Sequence, residues 1–303
     1  MKRRKKKVNF INVLFKKYEF FLIKITAVVV LAGLFIFISS VYSHQKNEKK
    51  STENSCEVWV SPTPIIETKE EPMLTKAPVY TGFCLNVPIL MYHHVQPESQ
   101  AKENGQTALT VDSEVFDSQM AYLVSHGYGT VSGDQLVNAL RTHTPLSGKN
   151  VVVSFDDGYK DAYNYVFPIL KKYGIVGNFM IPTGLIGGAD YLSWSQIEEM
   201  AHSGNMYFTD HTWSHASLGR ATIEKIKYEI ETAKNQLEQH TGQTINLFTY
   251  PYGSFSSDVI NVLTQDGFLG AFSTISGFIQ CDSFIMDLHR NRIGNSSLSA
   301  YGL

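Results

Sequence analysis

The stretch VVVSFDDG, residues 151–158, decides the fold: a short apolar run leads directly into two carboxylates and a glycine. β-Branched residues favour strands, and Asp-Asp-Gly is typical of a turn. We therefore predict a buried strand at 151–155 that ends at Asp156. Short apolar runs of the same kind recur in both directions along the chain, at 87–92, 176–181, 206–209, 247–250 and 269–273, and RNRI at 290–293 is a candidate for the last strand.

Helical patterns separate these apolar runs. Two of them begin with the spacing of a capping box, Ser132 with Gln135 and Ser193 with Gln196, and the longest spans 222–240. Strands that alternate with helices imply a parallel sheet with helices outside it. We predict an α/β fold built on either a closed or nearly closed barrel or a doubly wound sheet.

The N-terminal part of the chain has its own composition. Residues 1–24 contain nine lysines and arginines and one glutamate, a net charge of +8; the whole chain has −2, so the remainder carries −10. Residues 25–42 contain no charged side chain, and with 20–23 they are long enough for a bilayer core of roughly 30 Å. Cations on the N-terminal side predict a cytoplasmic segment at 1–20, a transmembrane helix at 21–42 and an exported remainder.

A cleaved signal peptide, giving a secreted protein, is the alternative to this anchor. It shares the basic start, but the apolar stretch is long and no Ala-x-Ala cleavage site follows it. We therefore expect the membrane as a partner of the N-terminal helix. The acidic remainder of the chain argues against nucleic acid as a partner.

A polar stretch separates the anchor from the apolar runs. Residues 43–85 contain few large apolar side chains and several prolines, which predicts a disordered extracellular tether before a folded domain at 86–303. The three cysteines are Cys56, Cys84 and Cys281, and their spacing fits no zinc motif. Export would permit a disulfide, and Cys56 and Cys84 could pair across the tether.

Polar clusters follow four of the predicted strands. The carboxyl ends of parallel strands meet at one face of a sheet or barrel, so we expect these clusters to lie close together. In chain order they are His93-His94, Asp156-Asp157-Gly158, Asp210-His211 with His215, and Pro251-Tyr252-Gly253. Each cluster alone is compatible with a solvated turn or a structural histidine.

The chemistry that fits these clusters together is metal-assisted hydrolysis. Two imidazoles and one carboxylate make the three-ligand set of an open catalytic zinc site. A second carboxylate can take a proton from the attacking water. Adjacent residues of an extended chain point in different directions, so Asp156 and Asp157 can take these two roles. A separate histidine can protonate the leaving group.

Three motifs in this order resemble the polysaccharide deacetylases of carbohydrate esterase family 4, which have a nodulation-type deacetylase domain. They are SFDDG (154–158), HTWSH (211–215) and YPYG (250–253), and the flank VPILMYHHV (87–95) agrees as well. The resemblance covers about 87 to 293. It implies a distorted (β/α) barrel with about seven parallel strands and removal of acetyl groups, mostly from N-acetylglucosamine in glycans.

The resemblance also implies a role for individual residues. Asp156 matches the catalytic base that activates the attacking water. Tyr252 matches the residue whose backbone N–H helps to hold the oxyanion. The divalent-metal triad, which usually binds Zn²⁺, is matched by Asp157, His211 and His215.

The sequence departs from the commonest family pattern in two places. The usual arginine two residues before the proline of the third motif, which orients the base, is Thr249 here. This departure puts the positioning of Asp156 in doubt. The usual late general-acid histidine is replaced by an early one in ILMYH (89–93), which resembles the permuted subgroup that includes exported poly-N-acetylglucosamine deacetylases. That subgroup selects His93 as the acid, with His289 as its competitor.

We therefore predict a membrane-anchored, extracellular, metal-dependent hydrolase of carbon–nitrogen bonds other than peptide bonds. Its expected substrate is an acetylated polysaccharide, poly-N-acetylglucosamine or peptidoglycan. An O-acetyl polysaccharide esterase and a catalytically weak glycan-binding module are the alternatives. Three aromatic residues near the site could stack on sugar rings or pack the mouth of the barrel: Tyr159, Trp213 and Tyr250, with Trp213 favoured because it lies between two ligand histidines.

Overall fold

The computed structural model describes residues 80–303. The predicted cytoplasmic segment 1–20, the transmembrane helix 21–42 and all but the end of the tether 43–85 lie outside the described residues. Within 80–303, none of the helices has the length and apolar character needed to cross a bilayer.

The described chain alternates strands with helices. In chain order the strands are β1 (Cys84–Asn86), β2 (Ile89–Tyr92), β3 (His94–Val95), β4 (Thr110–Val111), β5 (Tyr128–Thr130), β6 (Lys149–Phe155), β7 (Gly177–Ile181), β8 (Met206–Asp210), β9 (Leu247–Thr249), β10 (Gly270–Phe272), β11 (Ile279–Cys281) and β12 (Asn291–Arg292). The α-helices are α1 (Glu98–Glu103), α2 (Ser113–Ser125), α3 (Gly133–Arg141), α4 (Phe167–Tyr173), α5 (Trp194–His202), α6 (Ile223–Thr241) and α7 (Ser257–Gln265).

Seven parallel strands form the central sheet in the order β10-β9-β8-β7-β6-β2-β12, and β5 pairs with the start of β6. The order runs in one direction without the reversal of a doubly wound sheet. Its two edges are linked by residues 285–292: Ser273 N–H donates to the Leu288 carbonyl, and Leu288 N–H donates to the Ala271 carbonyl, both at 2.8 Å. The predicted α/β fold with about seven parallel strands is therefore confirmed as a curled, barrel-like sheet.

Local signals in the sequence account for the helix boundaries. Both predicted capping boxes are present, at Ser132 and at Ser193. Helix α2 is capped by Asp112, whose side chain accepts a hydrogen bond from Glu114 N–H. Helix α4 is preceded by a π-helical turn at Ala162–Val166 and ends at Gly174, which has φ 66°. Glycine adopts this left-handed conformation without a steric penalty, and so it terminates the helix.

Alternating residues of the strands face the interior of the curled sheet. Val152 packs in an interior apolar cluster with residues of α3, and Ser154 and Asp156 follow it on the same face. Val151 and Val153 belong to the larger cluster between the sheet and the outer helices. The interior is therefore apolar at one end and polar at the other, where the strands end and the site lies.

A pair of strands absent from the sequence predictions closes the start of the domain. Strand β1 pairs antiparallel with β11, and Cys84 forms a disulfide with Cys281, the residue opposite it in the register. The Cys56–Cys84 pairing that the sequence left open does not form, because Cys84 bonds to Cys281. Strand β1 contains Cys84 and Leu85, so the described fold begins before residue 86.

Candidate metal and active site

Asp157, His211 and His215 come together at the carboxyl ends of β6 and β8. Asp157 Oδ1 lies 3.1 Å from His215 Nε2 and 3.4 Å from His211 Nε2. One ligand atom from each of the three residues falls within 4.8 Å of the others. The structure thus brings together the three residues expected to bind a metal, although Asp157 and His211 are 54 residues apart in sequence.

The chemistry of these side chains fits a divalent cation. His211 Nδ1–H donates to the Thr249 carbonyl at 2.8 Å, which leaves the Nε2 lone pair pointing toward Asp157. A second hydrogen bond of this kind fixes the tautomer of many metal-binding histidines. Burial would raise the pKa of Asp157, but the imidazoles of His211 and His215 that face it outweigh this effect and hold the pKa well below its ordinary value. The carboxylate is therefore ionised, as a metal ligand must be.

Backbone strain is concentrated at this site. Four of the five non-glycine residues with positive φ in the described chain lie here: Asp157 (72°), Thr212 (65°), His215 (57°) and Tyr252 (59°). Each such residue costs on the order of 1–3 kcal/mol and persists only where its surroundings hold it. Asp210 holds the strained backbone of Thr212 in place, because its Oδ1 accepts a hydrogen bond from Thr212 N–H at 2.7 Å.

Arg290 is the partner of Asp156. Its guanidinium donates to both carboxylate oxygens, at 2.6 and 2.8 Å, and its Nε–H donates to the Ser273 carbonyl. Burial would raise the pKa of Asp156, but the charge and hydrogen bonds of Arg290 outweigh it, and the pKa lies below its ordinary value. The doubt about the positioning of Asp156 is thereby removed. Thr249, which stands where the family usually has an arginine, has a different contact: its carbonyl accepts the hydrogen bond from His211. Its Oγ1 is buried without a hydrogen-bond partner.

Arg290 was predicted only as part of a strand at 290–293, and its place in the site was not predicted. Arg290 lies in a polar stretch, HRNRI (289–293), so no sequence pattern indicated that it would be buried. A fully buried arginine needs a partner, and here that partner, Asp156, is 134 residues away in sequence.

His93 and His289 lie in different environments. His93 is half-buried; burial lowers its pKa, and the nearby charges of Asp156 and Asp157 oppose that shift. His289 stacks on Phe284 at 4.6 Å between ring centroids, and the carboxylate that acts on its pKa is Asp287. The geometry therefore brings His93, rather than His289, beside the two aspartates.

Tyr252 lies beside one of the histidines. Its ring centroid is 4.7 Å from that of His215, and its hydroxyl is 3.1 Å from His215 Nδ1. The side chain is 69% exposed, so it borders the open side of the site. The expected role concerns its backbone N–H and stays a prediction.

The three aromatic residues expected to touch substrate differ in accessibility. Tyr250 is 0% exposed and its hydroxyl donates to the Met286 carbonyl, so the expectation that it stacks on a sugar is wrong. Trp213 is half-buried with its edge against Tyr228. Tyr159 is half-buried and stacks between His94 and Tyr191, beside a cavity of about 330 Å³.

Comparisons with known proteins agree with the geometry. Residues 143–271 match the sequence model of a family described as polysaccharide deacetylase. The structure of the Streptococcus pyogenes deacetylase PplD is similar, with 30% identity, a TM-score of 0.67 and coverage of 72% of this chain and 96% of that one.

Two curated proteins are similar in sequence. Bacillus subtilis (strain 168) YxkH is 28% identical over 238 residues, which are 78% of this chain and 81% of that protein. The poly-β-1,6-N-acetyl-D-glucosamine N-deacetylase of Escherichia coli (strain K12) is 26% identical over 230 residues, and the match covers 62% of this chain and 34% of that protein. This chain therefore corresponds to about a third of the E. coli protein.

Proposed function

The chain belongs to the polysaccharide deacetylase family, and from that premise we propose that it is a metal-dependent hydrolase of N-acetyl groups on N-acetylglucosamine-containing glycans. The observation that carries the proposal is the Asp157, His211 and His215 triad, set beside Asp156 in its ion pair with Arg290. Similarity to the poly-β-1,6-N-acetyl-D-glucosamine N-deacetylase of E. coli supports an N-acetylated glycan as substrate.

The triad would hold a divalent cation, and Zn²⁺ is the cation that two imidazoles and a carboxylate suit best. Such a cation, when bound, supplies Lewis-acid polarisation of a carbonyl and lowers the pKa of water. The chain itself holds the ligands in place: the Thr249 carbonyl orients His211, and the Tyr252 hydroxyl lies against His215.

Asp156 is the proposed general base. Its carboxylate is ionised at neutral pH because Arg290 lowers its pKa, and Arg290 holds both oxygens in one orientation. The base accepts a proton from the water that attacks the acetyl carbonyl. The backbone N–H of Tyr252 would donate to the oxyanion that forms there.

His93 is the proposed general acid. Amine release requires a proton on the leaving nitrogen. Burial lowers the pKa of His93, and the charges of Asp156 and Asp157 offset only part of that shift, so the imidazole gives up its proton readily. Once Asp156 has taken a proton from water, His93 can supply one to the amine. His289 contributes to packing against Phe284 in this scheme.

We also propose that the protein is anchored in the membrane with its catalytic domain outside the cell. The nine lysines and arginines of residues 1–24 precede the uncharged apolar stretch at 25–42, and this asymmetry supports the orientation. The Cys84–Cys281 disulfide supports an oxidising compartment, since such bonds are rare where thiols are kept reduced.

The test compares acetate release by the full chain from poly-N-acetylglucosamine, peptidoglycan, chitin oligomers and an O-acetylated xylan. We expect release from one or more of the N-acetylated polymers and little from the xylan. Faster release from the xylan would instead assign an O-acetyl esterase. Glycan binding without any acetate release would assign a binding module. The only sequence feature that favoured such a module was Thr249 in place of the usual arginine, and the buried Arg290 supplies a partner for Asp156 in its place.

A further inference from the structure

A buried carboxylate on helix α6 fixes the loop that carries both histidines of the triad. Glu229 is 3% exposed, and its Oε2 accepts a hydrogen bond from Ser214 N–H while its Oε1 accepts one from the Ser214 hydroxyl, both at 2.7 Å. Its backbone carbonyl accepts a third from Trp213 N–H at 2.9 Å. Glu229 therefore accepts three hydrogen bonds from Trp213 and Ser214, the two residues immediately before His215.

The loop needs such restraint because its own backbone is strained. Thr212 and His215 both have positive φ, which non-glycine residues adopt at a cost. The first half of the loop is held from elsewhere, since Thr212 N–H donates to Asp210 and Thr212 Oγ1 accepts from Ala216 N–H at 3.0 Å. Ser214, in the second half of the loop, donates its two hydrogen bonds to the Glu229 side chain. Glu229 therefore restrains the part of the loop that leads directly into His215.

The electrostatic setting of Glu229 also points to a dedicated role. Within residues 80–303 it forms no ion pair with a lysine, arginine or histidine. Burying a carboxylate without a cationic partner is costly, and hydrogen bonds are what offset the cost. Both side-chain bonds that offset it here go to the ligand-bearing loop, and charge-assisted hydrogen bonds of this kind are short and strong.

We propose that Glu229 is a positioning residue that sets the affinity of the site for its divalent cation by clamping Ser214 and thereby the orientation of His215. The proposal rests on the proposed function only in that the triad binds a cation. It makes no assumption about the substrate.

The test measures Zn²⁺ affinity of the full chain at 25 °C by competition with a chromophoric chelator, with circular dichroism as a check on folding. Residues behind a metal ligand typically change metal affinity by about 10- to 100-fold, and we expect Glu229→Ala to weaken Zn²⁺ binding at least tenfold. Glu229→Gln should stay within about threefold of wild type, because one amide can accept from Ser214 N–H and donate to its hydroxyl. The exposed Glu231 on the same helix gives the control, Glu231→Ala, which should bind like wild type.

Ser214→Ala is the second variant and keeps the proposal testable if Glu229→Ala does not fold. It removes one of the two side-chain bonds to Glu229, and a single hydrogen bond predicts a loss of roughly two- to tenfold in Zn²⁺ affinity. A folded Glu229→Ala, or Ser214→Ala, with wild-type affinity would overturn the clamp. Weaker binding in these variants together with no acetate release by wild type would support the clamp and refute the proposed function. A wild-type chain that does not bind Zn²⁺ would overturn both.

Discussion

Replacing Arg290 with methionine removes the partner of a buried carboxylate. In the structure the side chains of Arg290 and Asp156 are 0% and 4% exposed and share hydrogen bonds of 2.6 and 2.8 Å. Removing one member of a buried ion pair leaves an uncompensated charge and destabilises a protein by about 3–5 kcal/mol. We expect Arg290→Met to lower the free energy of unfolding by about that amount at pH 7, measured by urea denaturation.

The same variant should change the pH dependence of catalysis. In wild type the pKa of Asp156 is depressed, so its ion pair contributes stability above the unfolded-state pKa of about 3.9, and that stability is lost as pH falls through the folded pKa. Without Arg290 the effect of burial dominates and the pKa of Asp156 rises. Because the base must be ionised, the acidic limb of the kcat/KM profile should move to higher pH.

The control for this variant is Arg220→Met, which alters an exposed arginine. It should leave both the free energy of unfolding and the pH profile near wild type, as surface substitutions usually do. If Arg290→Met matched the control in both measurements, the inference that Arg290 orients and ionises Asp156 would be refuted.

Three further predictions concern other parts of the domain. Cys84→Ser should lower the free energy of unfolding under oxidising conditions by roughly 2–5 kcal/mol, because it opens a disulfide that spans 197 residues, and an unchanged urea midpoint would contradict this. Tyr159→Ala should raise KM for an oligosaccharide, whereas Tyr250→Phe should leave KM unchanged and cost about 1 kcal/mol of stability through its buried hydroxyl. His93→Asn should lower kcat by roughly 100-fold or more, and His289→Asn should leave it nearly unchanged; the reverse result would reassign the general acid.

The sequence predicted most of what depends on neighbouring residues. The strand ending at Asp156 and the capping boxes at Ser132 and Ser193 all appear where their patterns indicated. The parallel order of the sheet followed from alternation of strands and helices. The meeting of Asp157 with the two histidines followed in turn, because the ends of parallel strands share one face.

What the sequence could not predict depends on contacts between distant segments. Arg290 replaces the absent arginine at Thr249 only because the segment after β11 returns alongside β2. The Cys84–Cys281 bond likewise depends on the pairing of β1 with β11. Nothing local in the sequence distinguishes these partners from others.

The burial of Tyr250 could have been predicted from the sequence. Side chains alternate along a strand, so Tyr250 shares a face with Phe248, and both pack in the cluster between the sheet and the outer helices. Thr249 faces the other way. The position of Tyr250 in the third motif favoured it as a substrate contact, whereas the period-two pattern of the strand predicts that its side chain is buried.

Acetate release by the full chain after metal removal and reconstitution tests the central claim most directly. The protein is stripped with a chelator, dialysed, and assayed on poly-N-acetylglucosamine with and without added Zn²⁺, beside an Asp157→Ala variant treated in the same way. We predict that stripping abolishes acetate release, that Zn²⁺ restores it in wild type, and that Asp157→Ala stays inactive. Full activity in the stripped protein, or in Asp157→Ala, would contradict a hydrolase whose metal is held by Asp157, His211 and His215.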